Sequence, residues 1–154
     1  MTRTETLVAE LGLEPHPEGG FYKETFRSEI SVETNKGSRS AGTAILYLLS
    51  GKDVSRFHRI DADEIWHFHE GAPLSLFTLD DEAGLQKHLV STSSPQLTVK
   101  AGVWFGACLE GENQHCLVSC TVMPAFEFSG FELAEQAALL AQWPDAKEVI
   151  QRLT

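Results

Sequence analysis

Residues 57–76 read FHRIDADEIWHFHEGAPLSL. With its flanks the stretch divides into SRFHRI (55–60), EIWHFHE (64–70) and PLSLFTL (73–79), three short runs rich in bulky apolar side chains and separated by turn-forming residues. Runs of this length and composition predict strands. In a strand alternate residues share a face, so if Glu64 points inward then Trp66 and Phe68 join it, and His67 and His69 point the other way.

The same pattern extends outward. TAILYLL (43–49) precedes it, and LQKHLVS (85–91), QLTVK (96–100), VWFGACL (103–109) and HCLVSCTVM (115–123) follow, with turn signals between them. Many short strands at near-regular spacing predict an antiparallel sandwich or barrel. Upstream, Leu7, Val8 and Leu11 at helical spacing before Gly12 predict a short N-terminal helix over 4–11. PHPEGG (15–20) predicts a turn, FYKETFRSEI (21–30) a strand, and SVETNKGSRS (31–40) a polar loop. After Pro124 the period turns helical, with Leu133, Ala137 and Leu140 on one stripe and a last helix opening at Pro144. No repeat or linker divides the chain, so a single domain over 1–154 is expected.

Composition narrows the function classes. A formal charge of −10, from 12 basic and 22 acidic residues, works against binding nucleic acid or an anionic membrane, both of which attract through clustered Lys and Arg. No apolar run approaches the ~20 residues of a membrane-spanning helix. The three cysteines, Cys108, Cys116 and Cys120, lack C-x-x-C spacing, and no apolar signal core follows Met1, so a reducing, cytoplasmic setting is expected. The thiols read as small buried side chains.

His58, Glu64 six residues on, and Gly71 seven beyond that resemble the first cupin motif, H-x-H-x(3,4)-E-x(6)-G. KAGVWF (100–105) stands where the second motif has P-x-G-x-x-H, with Gly102 matching and Phe105 at the histidine position. Together with PHPEGGFYKETFRS (15–28), ILYLL (45–49), AGVWFGA (101–107) and CTVMPAFEFSGFEL (120–133), these segments are similar to the cupin_5 group, a domain of unknown function. The resemblance implies an all-β fold, a double-stranded β-helix or jelly-roll cupin barrel, with a short N-terminal helix and C-terminal helices. It also implies a homodimer, to which the strand at 21–30 would contribute an edge.

By resemblance a metal-binding cupin uses two histidines and the glutamate of motif one and the histidine of motif two. Here Ile60 and Phe105 occupy two of those four positions. No metal and no cofactor are therefore expected, although His115 or His88 could supply atypical ligands from other strands. GGFYKETFR (19–27) is similar to the early segment of nucleotide-sugar epimerases of the dehydrorhamnose type, which are metal-free cupins with a catalytic histidine.

That resemblance implies a nucleotide or nucleotide-sugar as a small polar ligand and an epimerase or isomerase reaction. His58 would be the base, Glu64 its orienting partner, and Tyr47 or Tyr22 the acid. Phe21, Trp66, Trp104 and Phe105 are aromatic candidates to line the site, Glu24 matches the epimerase segment, and Lys23, Arg27 and Arg56 are candidates for phosphate oxygens, with Arg39 and Arg59 in reserve. His16 reads as a loop residue ordered by the turn. Two other functions compete: a non-catalytic ligand-binding or sensing module, and a metal-dependent oxygenase or isomerase with atypical ligands.

Overall fold

The computed structural model describes residues 1–154. Its strands are β1 (Glu14–Pro15), β2 (Phe21–Arg27), β3 (Ser31–Thr34), β4 (Gly37–Ser40), β5 (Thr43–Ser50), β6 (Val54–Ile60), β7 (Asp63–Gly71), β8 (Leu74–Asp80), β9 (Gly84–Val90), β10 (Gln96–Val99), β11 (Trp104–Cys108), β12 (His115–Met123) and β13 (Phe131–Leu133). Helix α1 (Arg3–Leu11) precedes them, and α2 (Gln136–Gln142) and α3 (Lys147–Arg152) follow.

Two antiparallel sheets face each other. One has the order β1-β2-β5-β12-β7-β10 and the other β13-β6-β11-β8-β9. Sequence neighbours β5, β6 and β7, and likewise β7 and β8, alternate between the sheets, which is the jelly-roll pattern expected. Inward side chains of both sheets, including Tyr47, Trp66, Leu76, Phe105, Val118 and Cys120, form one core.

Each outer face has its own cover. The capping box of Thr2 and Glu5 starts α1, Gly12 at φ 63° ends it, and Leu7 packs with Leu13, Leu48 and Leu117 on the first sheet. On the second sheet, Leu139 of α2 and Ile150 and Leu153 at the C-terminal end cover Phe57, Phe77 and Leu79. Phe57, Ile150 and Leu153 are fully buried, and each contributes about 1.5–3 kcal/mol through removal from water.

Three expectations change. Residues 31–40 are a β-hairpin of β3 and β4 rather than a loop: Thr34 pairs with Gly37 across Asn35-Lys36, and Gly37 adopts φ 106°, so the polar Asn-Lys-Gly is a tight turn. The strand from Phe21 ends at Arg27, after a register shift between Glu24 and Phe26 against β5. Leu133, expected on a helical stripe, lies instead in β13 opposite His58 of β6, and α2 starts only at Gln136. As expected, the outer edge of β2 beyond Tyr22 has no partner strand, because β1 covers only Phe21 and Tyr22.

Candidate functional site

A cavity of about 500 Å³ opens between the sheets at the end bounded by β2, β6, β7 and the 126–131 segment. Its floor carries His16, Glu18, His58 and Glu64, and its rim carries Tyr22, Phe126, Phe128 and Phe131. The turn between β1 and β2 brings the first two. His16 N–H donates to Gly20 O at 2.9 Å, and Gly19 and Gly20 take φ 114° and 74°. A Cβ on Gly19 would lie 2.0 Å from Val54 O, so only glycine lets this turn press against β6. Glu18 is thereby delivered into the barrel. Its Oε2 lies 2.9 Å from His58 Nδ1, and Ser55 Oγ donates to its Oε1 at 3.1 Å.

The hydrogen bonds set the proton positions. His58 Nδ1 faces two acceptors, Glu18 Oε2 and Arg56 O at 2.7 Å, so Nδ1 carries a proton and Nε2 is left for the cavity. His16 Nδ1 accepts from the Glu18 N–H at 3.1 Å, so the neutral ring carries its proton on Nε2. The pair Glu18–His58 is an internal ion pair: burial works against both charges, but each holds the other ionised, lowering the Glu18 carboxyl and raising the His58 imidazole. His16 goes the other way, because burial lowers it and the Glu18 charge does not compensate.

Glu64 is the exception. It is 8% exposed, and no group makes a well-directed hydrogen bond to its carboxyl. Burial pushes it up to about 7; the nearby charge of His58 opposes the shift and that of Glu18 adds to it, while Cys120 and the Trp66 indole also favour the charged form. The indole N–H of Trp66 is itself buried without a hydrogen-bond partner. A carboxylic acid that is half ionised near neutrality thus shares a cavity with an imidazole whose charged form Glu18 favours, and two such groups can receive and return a proton.

Among the residues picked out from sequence, His58, Glu64, Glu24, Arg27 and Tyr22, one of the two tyrosines named as the acid, line the cavity. Trp66 and Phe105 lie behind it in the core, with the Phe105 ring centred 4.2 Å from that of His58. Tyr47 is also core: its hydroxyl donates to Gly19 O at 2.6 Å, so it braces the glycine turn. Phe21 packs under α1, Lys23 Nζ donates to Leu11 O, and Arg56 is exposed away from the cavity. Trp104 faces the opposite side of its strand, with the Arg59 guanidinium 4.3 Å from its ring centre. His67 and His69 hydrogen-bond Thr121 and Ser119 on the outer face. The residues missed were Glu18, and His16 as a wall of the cavity. The double glycine in PHPEGG, a turn able to enter tight space, was the available signal.

The metal-binding cupin set does not fit. Ile60 lines the cavity where a second histidine would stand, the Phe105 ring lies tilted against His58, and no three His, Cys, Asp or Glu side chains converge to hold an ion. His88 bonds Thr78 and His115 bonds Glu70, and neither lines the cavity. No helix is long and apolar enough to cross a membrane.

Residues 5–134 match the model of Cupin_5, described as cupin superfamily (DUF985). A hypothetical protein from Leishmania major superposes with TM-score 0.89 at 33% identity, covering 97% of each chain. A protein from Shewanella oneidensis does so with TM-score 0.89 at 36% identity, over 100% of this chain and 98% of its own. Oxalate decarboxylase from Bacillus subtilis shares the fold alone, at TM-score 0.57 and 12% identity over 91% of this chain and 37% of its own. No curated protein matches this chain. The motif residues, the two-sheet barrel and the family match agree: the chain belongs to the Cupin_5 family of the cupin superfamily.

Proposed function

We propose that the cavity binds a small polar carbonyl compound and shuttles a proton on it without a metal, as an isomerase or epimerase does. The observation that carries this reading is the placement of Glu64, buried and with neither an ion-pair partner nor a well-directed hydrogen bond, in the same floor as the Glu18-paired His58. Removal of a proton beside a carbonyl needs a base near the C–H and a donor for the developing oxyanion. Glu64 supplies the base and His58 Nε2–H the donor, with Glu18 fixing the imidazolium. This reverses the part first given to His58, because a histidine held charged by a carboxylate gives a proton more readily than it takes one.

The nucleotide-sugar form of the ligand has less support. Of the three cations picked out for phosphate, only Arg27 lines the cavity, and Glu24 already engages it at 2.8 Å. A sensing module remains the second reading, since the same cavity binds without turnover if the C–H lies out of reach of Glu64.

The test uses purified protein with a panel of aldoses, ketoses and amino sugars in deuterated water, followed by NMR. The expected result is incorporation of deuterium beside the carbonyl, lost at least about 100-fold in Glu64→Gln and His58→Gln. Binding without incorporation would leave the sensing module. Incorporation that survives both substitutions would remove this pair from the chemistry.

A further inference from the structure

Four carboxylates, Glu18, Glu24, Glu64 and Glu127, line the cavity, against one guanidinium, Arg27, and the two imidazoles of His16 and His58. The cations are already matched. Arg27 donates to Glu24 Oε1 at 2.8 Å, to Glu24 Oε2 at 3.3 Å and to Phe126 O at 3.0 Å. His58 lies against Glu18 Oε2 at 2.9 Å. With these pairs cancelled, Glu64 on the floor, half ionised near neutrality and drawn to full ionisation by a bound cation, and Glu127 at the mouth are left over, and no unmatched cation of the lining faces them. The rest of the chain does not offset this, since the whole chain, cavity included, has a formal charge of −10.

The rim adds a second feature. Phe126, Phe128 and Phe131 meet edge to face, with ring centres 5.0 and 6.2 Å apart. Phe128 is 57% exposed, an apolar ring held at the opening rather than in the core. Aromatic faces attract ammonium groups and gain nothing comparable from phosphate or carboxylate. An anion entering here would meet uncompensated carboxylate charge in a water-poor space, whereas a cation would complete it.

Resting on the ligand-binding reading above, we infer that the molecule this cavity takes carries a protonated amine and no anionic group. An amino sugar or a similar amino-carbonyl compound has this chemistry; a nucleotide-linked sugar does not. The buried, unpartnered Glu64 carboxyl is the polar atom aimed at that ligand, and Glu127 with the three phenylalanines forms the entrance that selects its charge.

The test needs no knowledge of the natural ligand. Three nitroxides of one ring skeleton, substituted with an amino, a hydroxyl or a carboxyl group, are titrated into the isotope-labelled protein at neutral pH. Paramagnetic relaxation is compared between cavity amides (Ile45, Ile60, Val122, Phe131) and the remaining surface. The amino probe is expected to enrich in the cavity over the carboxyl probe by about tenfold, the lower end of what a cleft of one charge sign achieves. This ratio is to be measured relative to the rest of the surface, and it should shrink in Glu64→Gln and in Glu127→Gln. If the hydroxyl probe enters but the amino probe shows no excess, or the carboxyl probe prevails, the charge inference is overturned while the cavity remains a binding site. If none of the three enters, both readings fall.

Discussion

At the scale of single residues, Glu64 is a buried carboxyl with no ion-pair partner. Its carboxyl lies at about 7 against an ordinary 4.5. Below 4.5 the group is protonated folded or unfolded, and burial costs it little. Between 4.5 and about 7 the folded chain keeps a proton the unfolded chain has lost, so raising the pH erodes stability, and above about 7 the loss is complete. His58, also raised, contributes in the same direction, its stabilisation fading as pH rises through its folded value. Glu64→Gln removes the carboxyl's share. Denaturant unfolding is expected to show wild type and variant nearly equal at pH 4 and the variant more stable at pH 8, on the order of 3 kcal/mol. A variant less stable at pH 8 would mean that the ionised carboxyl has partners the structure does not show.

At the scale of elements, the turn joining β1 to β2 decides whether a site exists. It lifts Glu18 and His16 across the open end of the barrel, and Tyr47 holds Gly19 from below. Gly19→Ala is expected to destabilise the fold by about 2 kcal/mol or more, because φ 114° and the 2.0 Å approach to Val54 O both exclude a Cβ. The same substitution should lower the His58 titration toward 6.5 as Glu18 is displaced. Unchanged stability together with an unchanged His58 titration would show that the turn is not what positions Glu18. Here lies the boundary of what the sequence made legible. Alternation along 64–70 separated Glu64 and Trp66 from His67 and His69, because a period of two is a local property. The same rule, applied to the adjacent residues Trp104 and Phe105, would have placed only one of them inward. Glu18 escaped because no local period links it to His58; their meeting depends on a glycine turn and on sheet order. The hairpin at 31–40 escaped because its strands are polar on both faces and carry no apolar alternation.

At the scale of the whole molecule, the proton affinities belong to the enclosure rather than to any side chain. Two sheets, α1 outside one and the C-terminal helices outside the other, enclose a cavity whose floor groups Glu18, His58 and Glu64 are buried, while the 126–131 segment lines its mouth. In that medium a matched pair, Glu18 with His58, stays charged, and an unmatched carboxyl, Glu64, keeps its proton to neutrality. This coexistence of a proton donor and a proton acceptor is the centre of the account. The measurement that tests it most directly is an NMR pH titration of the intact protein, following the Glu64 carboxyl carbon and the His58 ring nitrogens. The account predicts that Glu64 titrates at about 7 while His58 remains protonated on Nδ1 and titrates above 6.5. A Glu64 midpoint near 4.5, with His58 neutral at pH 7, would contradict it.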